Sequence, residues 1–228
     1  MYTGIKRLID ILISTLVLLI LFPLFLPIII GLRLTGEGEV FYFQKRVGYK
    51  NKPFYIWKFA TMLKDSPNMG TGEITLRNDP RLTPMGKYLR LTKVNELPQI
   101  INVFKGDMSL VGPRPLTEKA FLAYPPDIQE RIYNAKPGIT GIGSIIFRDE
   151  EETISKSKQD PHVFYKAHIA PYKGKLELWY LQHKSTIVDL LLIFLTAWVI
   201  VSPKSTLYFQ IFKDLPQASE SLEKIKAQ

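Results

Sequence analysis

Residues 11–32 are apolar almost without interruption, so this run has to be shielded from water by a protein core or by lipid. A helix of about 20 apolar residues crosses a bilayer, and the run is long enough for that. No small-residue cleavage site follows it, which argues against a removed signal segment. Pro23 and Pro27 stand inside it, and each takes away one helix N–H. A break there leaves two halves of roughly ten residues, each too short to cross alone. Lys6 and Arg7 precede the run, and Arg33, Lys45, Arg46, Lys50, Lys52 and Lys58 follow it. Basic flanks prefer the cytoplasmic side, so both ends are expected on one face of the membrane. Residues 1–34 are therefore expected to form a re-entrant helix-break-helix that dips into one leaflet and returns. A proline-kinked spanning helix is the alternative.

The remaining length suits one domain with a proper core, residues 35–202, and a polar tail, residues 203–228. A formal net charge of +9 points to an anionic partner: nucleic acid, acidic lipid or a phosphorylated small molecule. The membrane run and the lack of interleaved aromatic and basic residues argue against nucleic acid. Without cysteine there is no disulfide scaffold and no thiolate metal site. Residues 40–43 and 54–59 alternate like two short strands, with Gln44, Lys45, Arg46, Val47 and Gly48 turning between them. Residues 66–73 read as a loop, 78–81 as a turn, and 86–91 as a short helix with Leu89 and Leu91 in the core. Residues 136–144 are rich in glycine and would let backbone approach a ligand. The apolar segment 189–202 is too short to span and reads as a buried or interfacial helix. The fold class expected is α/β, mixed and helix-rich, with a small β-hairpin and helices packed at the membrane surface.

Residues 95–115 carry the chemistry. Leu97, Ile100, Ile101 and Phe104 fall at i, i+3, i+4 and i+7, one buried helix face, with Glu96, Gln99 and Asn102 on another. Asn95 is placed as the N-cap, Pro98 in the first turn, and Gly106 as the stop. The free N–H groups of such a terminus favour phosphate, with the Glu96 carboxylate beside it. Pro113 and Pro115 restrict the backbone on both sides of Arg114, whose guanidinium fork suits phosphate oxygens. Lys58 between Trp57 and Phe59, and Arg90 on the short helix, are further phosphate-binding candidates. Arg148 and Asp149, after the glycine-rich segment, are candidates for substrate or Mg²⁺ contact. His162, His168 and His183 lack metal-ligand spacing. Phosphoryl chemistry is the expectation.

Several blocks, in order, match one family: Lys6-Arg7 with Asp10, Gln44-Lys45-Arg46-Val47-Gly48, Lys58-Phe59, Asp79-Pro80-Arg81, Leu89-Arg90, Glu96-Leu97-Pro98-Gln99, Gly106-Asp107-Met108-Ser109-Leu110-Val111-Gly112-Pro113-Arg114-Pro115 and Lys136-Pro137-Gly138. Through them the chain resembles the bacterial sugar transferases, the monotopic polyprenyl-phosphate phosphoglycosyl transferases. The resemblance implies an enzyme of the bacterial inner membrane, facing the cytoplasm. It would move a sugar 1-phosphate from a UDP-sugar to undecaprenyl phosphate and release UMP with Mg²⁺, for a surface glycan. In that family an Asp-Glu pair acts, the aspartate forming a covalent phosphosugar intermediate. Here the pair is Asn95-Glu96, and a neutral amide is a poor nucleophile. Ala60 replaces a basic residue, and Phe22-Pro23 replaces a serine-proline break. Three routes stay open: Glu96 attacks, another acid such as Asp149 supplies the nucleophile, or the lipid phosphate attacks directly. Glu96 and Asp149 are the expected metal ligands. A non-catalytic lipid-binding or scaffolding protein is the alternative function, and self-association of the chain stays open.

Overall fold

The computed structural model describes residues 2–69 and 79–227. Gly70 to Glu73 of the expected loop, and Asn78 of the expected turn, lie outside them. The chain divides into two compact units, one of Ile9–Lys45 and Tyr55–Gly106, the other of Met1–Leu8, Arg46–Phe54 and Asp107–Gln228. The helix-rich mixed fold expected from the sequence is the fold observed.

The first helix, α1, runs from Tyr2–Leu34 without interruption through Pro23 and Pro27. The expected break is thus corrected. The two prolines are four apart, so their missing N–H groups fall on one face, and the rest of the ladder carries the helix past them. At 33 residues α1 is about 50 Å long, enough to cross a bilayer, so the shortness of its halves no longer argues against spanning. One stripe of it, Phe25, Ile28 and Leu32, packs with Phe59 and Leu89 into a core, Phe25 meeting Phe59 edge-on at 5.2 Å. Leu12, Leu16, Leu19, Ile20, Phe22 and Ile30 remain exposed.

Strands β1 (Phe41–Val47) and β2 (Pro53–Phe59) pair as a hairpin. Residues 44–47, expected as the turn, extend β1 instead. The reversal sits at Gly48 to Lys52, where Lys50 and Asn51 take positive φ and the Gly48 N–H donates to the Lys52 carbonyl at 2.9 Å. A Cβ on Gly48 would come 2.6 Å from the Phe54 ring, which explains the glycine. Helix α2 (Pro84–Leu91) is capped by Thr83, whose hydroxyl accepts from the Gly86 N–H at 3.0 Å. Leu89 is buried as expected, but Leu91 is exposed. A 3₁₀ turn over Val94–Glu96 precedes α3 (Gln99–Lys105), which Gly106 ends at φ 93°. Nearby, Arg81 grips Asp79 through two nitrogens and donates to the Ser66 and Met69 carbonyls, a buried clasp for the loop.

In the other unit β3 (Ser109–Val111) and β4 (Gly138–Thr140) pair in parallel, Ser109 opposite Gly138 and Val111 opposite Thr140. The crossover between them holds α4 (Glu118–Phe121) and α5 (Pro126–Arg131). Glycine-rich 136–144 was read as room for a ligand, but its glycines serve close approach of protein to protein. A Cβ on Gly138 would lie 2.1 Å from the Gly112 nitrogen, and one on Gly141 would lie 2.4 Å from the Gly112 carbonyl. There follow α6 (Ile142–Ile146), α7 (Glu150–Lys156), α8 (Pro161–Phe164), a π-helical turn over Tyr165–Ile169, and α9 (Ala170–His183). Pro171 has no N–H to offer, and the widened turn just before it lets the helical path continue. Helix α10 (Thr186–Val201) buries Leu192, Leu195 and Val199 and exposes Ile187, Leu190, Phe194 and Trp198. It is a core helix on one face and apolar on its open face. The tail forms α11 (Leu207–Ile211) and α12 (Glu220–Ala227), and it is not merely polar: Phe212, Leu215 and Leu222 enter the same core as α9 and α10.

Candidate active site

In the first unit the structure brings Lys58 and Glu96 together: Lys58 Nζ stands 3.3 Å from Glu96 Oε1, both side chains part-exposed. A residue that sequence reasoning placed on a solvent-facing side arranges this pair. Asn102 is fully buried on α3; its Oδ1 accepts from the Trp57 N–H at 3.0 Å and its Nδ2 donates to the Tyr55 carbonyl at 2.8 Å. The side-chain amide thus acts as the next strand beside β2, and the residue after Trp57 is Lys58. The buried face of α3 is accordingly Gln99, Ile100, Asn102 and Val103, while Phe104 is exposed.

Asn95 is not an N-cap. It lies inside the 3₁₀ turn, which begins at Lys93 in the left-handed region with no side-chain cap. Asn95 is buried, and its Oδ1 has no hydrogen-bond partner among the described residues. Such an oxygen asks for an explanation, because an unmet buried acceptor costs about 1–3 kcal/mol. Arg90 lies near the end of α2 and is half-buried. Ala60, where the resembling family has a basic residue, is buried with its N–H on the Val40 carbonyl, a place with no water for a cation.

In the second unit Arg114 is exposed between buried Pro113 and Pro115. Its loop is held by backbone. The Tyr133 hydroxyl donates to the Arg114 carbonyl at 2.8 Å and accepts from the Leu116 N–H at 2.9 Å, and Arg46 donates to the Pro115 carbonyl at 3.2 Å. Burial holds the Tyr133 hydroxyl well above its ordinary pKa, so it stays a neutral bridge. Arg148 and Asp149 are exposed at the start of α7; the Arg148 guanidinium donates to the Val199 carbonyl, one of the open carbonyls ending α10. Asp149 precedes α7 without capping it through its side chain. Lys6, read from sequence as an interfacial charge, is instead an inner one. Its Nζ lies 2.7 Å from Asp189 Oδ2 and donates to the Val111 carbonyl, while Tyr2 and Tyr180 donate to the same carboxylate.

No group of three or more His, Asp or Glu side chains that could hold a metal occurs among the described residues. The donor set at Asn95 and Glu96, an orphaned amide oxygen beside a carboxylate, still fits Mg²⁺. That ion is commonly held by one or two protein oxygens with the rest from substrate phosphate and water.

The description "Bacterial sugar transferase" fits residues 1–203 of this chain. Over 196 residues it is 36% identical to a UDP-glucose:undecaprenyl-phosphate glucose-1-phosphate transferase of Klebsiella pneumoniae, covering 85% of this chain and 39% of that one. The protein so named in Escherichia coli K12 is 34% identical over 203 residues, 86% of this chain and 41% of that one. The chain therefore spans about two fifths of these relatives' length. The exopolysaccharide production protein ExoY of Sinorhizobium fredii is 32% identical over 206 residues and is matched over 83% of its length. With the family description met over residues 1–203, the chain belongs to the bacterial sugar transferases.

Proposed function

We propose that the protein is a membrane-bound phosphoglycosyl transferase, moving a sugar 1-phosphate from a UDP-sugar to undecaprenyl phosphate with release of UMP. The Lys58–Glu96 pair carries this reading: a carboxylate and an ammonium at 3.3 Å, fixed on α3 and β2 by Asn102. In the transfer a P–O bond forms from the incoming oxygen to the sugar-bearing phosphorus, and the P–O bond to UMP breaks. Lys58 neutralises charge that develops on the phosphate oxygens, and Arg90 and Arg114 supply further cations. Asn95 carries no charge to donate, so the attacking oxygen comes from Glu96, from Asp149 or from the lipid phosphate itself. The Asn95 amide oxygen and the Glu96 carboxylate would hold Mg²⁺, whose role is to neutralise the leaving nucleotide. The names of the relatives in Klebsiella and Escherichia coli support the acceptor and the class of reaction.

The apolar α1 would lie in the bacterial inner membrane with the rest on the cytoplasmic face, since Arg7 before and Arg33, Lys45 and Lys52 after favour that side. Both ends on one side make α1 re-entrant. Surface glycan assembly is the destination, as for the exopolysaccharide relatives. A second reading, a lipid-binding protein without turnover, draws on Asn95 alone. The test is UMP release by membrane-reconstituted protein over a panel of UDP-sugars, with and without undecaprenyl phosphate and Mg²⁺. Lipid-dependent release from one donor is expected. A folded protein silent with every donor overturns the transferase reading in favour of the second.

A further inference from the structure

Helix α9 buries two opposite charges that take no part in the transfer chemistry. Lys173 and Glu177 are 2% and 1% exposed. Lys173 is provided for: its ammonium pairs with Glu150 and lies 5.5 Å from the centre of the Phe147 ring. Glu177 is not, for neither carboxylate oxygen has a hydrogen bond of ordinary geometry among the described residues. Room is nevertheless kept for it. A Cβ on Gly143 would come 2.3 Å from Glu177 Oε1, so position 143 tolerates no side chain while Glu177 stays where it is. An apolar side chain in place of Glu177 would avoid the desolvation of a carboxylate at no loss of packing. A carboxylate kept in such a place calls for a use.

The groups bearing on Glu177 identify that use. Apart from Lys173, they are the backbone N–H and the guanidinium of Arg114. Neighbouring backbone groups of that loop are tied elsewhere: the Gly112 N–H to Thr140, the Pro113 carbonyl to Gly138, the Arg114 carbonyl to Tyr133, the Pro115 carbonyl to Arg46. We propose that Glu177 is a positioning residue for Arg114, its buried carboxylate setting the Arg114 backbone and guanidinium from beneath the loop, with Gly143 keeping open the space it needs. The proposal rests on the transferase reading only in taking Arg114 as a phosphate ligand.

Titration gives it a readout that a purely structural residue would not share. Burial raises the Glu177 carboxyl to about 7, with Lys173 and Arg114 pulling the other way. The other titratable groups feeling its charge are the Tyr124 and Tyr133 hydroxyls, both held neutral by burial, and the facing α6 contributes only Gly143. With ¹⁵N-arginine labelling, and the Arg114 amide signal assigned by its loss in Arg114→Lys, that signal should titrate with a midpoint of about 7 in the wild type and stay flat in Glu177→Gln. In parallel, Glu177→Gln should lower kcat/KM for UMP release at least tenfold, and less than twofold when added to Arg114→Lys. A flat Arg114 signal in the wild type, or losses that multiply in the double variant, overturns the proposal. A titrating signal in a protein that releases no UMP would leave the Glu177–Arg114 link standing and overturn the transferase reading instead.

Discussion

An amide at position 95 cannot attack phosphorus, yet its oxygen is buried beside the one carboxylate that the structure pairs with Lys58. The two positions can be separated by exchange of single atoms. Glu96→Gln removes an ion pair that is part-exposed and so worth about 0–1 kcal/mol, leaving the melting temperature nearly unchanged. If Glu96 acts on phosphorus or holds the metal, transfer should nonetheless fall by about 10²–10⁴-fold. Near-normal turnover would remove Glu96 from the chemistry. Asn95→Asp keeps the volume and supplies a carboxylate. It should lower stability in metal-free buffer, since a buried charge lacks water, and Mg²⁺ should restore it. It should also add UMP release without lipid, stoichiometric with enzyme. Release that stays wholly lipid-dependent in this variant would show that position 95 takes no nucleophilic part here.

Two helices are held by polar side chains on faces that periodicity assigns otherwise. On α3 the apolar repeat Leu97, Ile100, Ile101, Phe104 suggested one buried face, but Asn102 outcompetes Phe104 for burial because its amide meets both a donor and an acceptor on β2. Asn102→Ala should cost about 1–3 kcal/mol by leaving the Trp57 N–H and Tyr55 carbonyl unmet, and should impair transfer through the displaced Lys58. Asn102→Asp restores only the acceptor, so a milder loss in chemical denaturation is expected. On α9 the signal was in the sequence: Lys173, Glu177 and Tyr180 recur at i, i+4 and i+7 beside apolar Leu176. Charges four apart read as a solvated pair, and only packing shows that this face is inside. Between pH 5 and 8 the unfolded chain carries an ionised Glu177 while the folded protein keeps its proton up to about 7. Stability from this group is complete below its ordinary value near 4.5 and lost as pH rises through about 7, a change of about 3 kcal/mol. The urea midpoint should therefore fall over that range in the wild type and fall less in Glu177→Gln. Equal slopes would mean that Glu177 is ionised in the folded protein throughout.

At the level of the molecule, what was legible followed from local chemistry. The long apolar run, Gly106 as a helix stop, Pro113 and Pro115 framing an exposed Arg114, and the mixed fold class all need only neighbours in sequence. What was missed depends on distant partners: the parallel pairing of β3 with β4, the inward use of Lys6 by Asp189, and the part played by residues beyond 203. The tail is polar on average, and three apolar side chains spaced along it give no helical or strand period. Yet the family description ends at residue 203, while Phe212, Leu215 and Leu222 are buried in the core shared with α9 and α10. Asp214 adds a polar tie, accepting from Trp179 Nε1 at 2.8 Å and standing 3.0 Å from His183 Nε2. That bond to Trp179 holds the Asp214 carboxyl below its ordinary range, so its share of stability is present at neutral pH and fades in acid. Each large buried apolar side chain is worth about 2–5 kcal/mol when removed from a packed site, so three exceed a good part of a domain's stability of about 5–15 kcal/mol. Removal of residues 204–228 should accordingly lower the melting temperature by more than about 10 °C and open α9 and α10 to proteolysis. Leu222→Ala alone should cost about 2–5 kcal/mol. If the shortened chain melts like the full one, the tail only lies on the core, and residues 1–203 suffice for the fold.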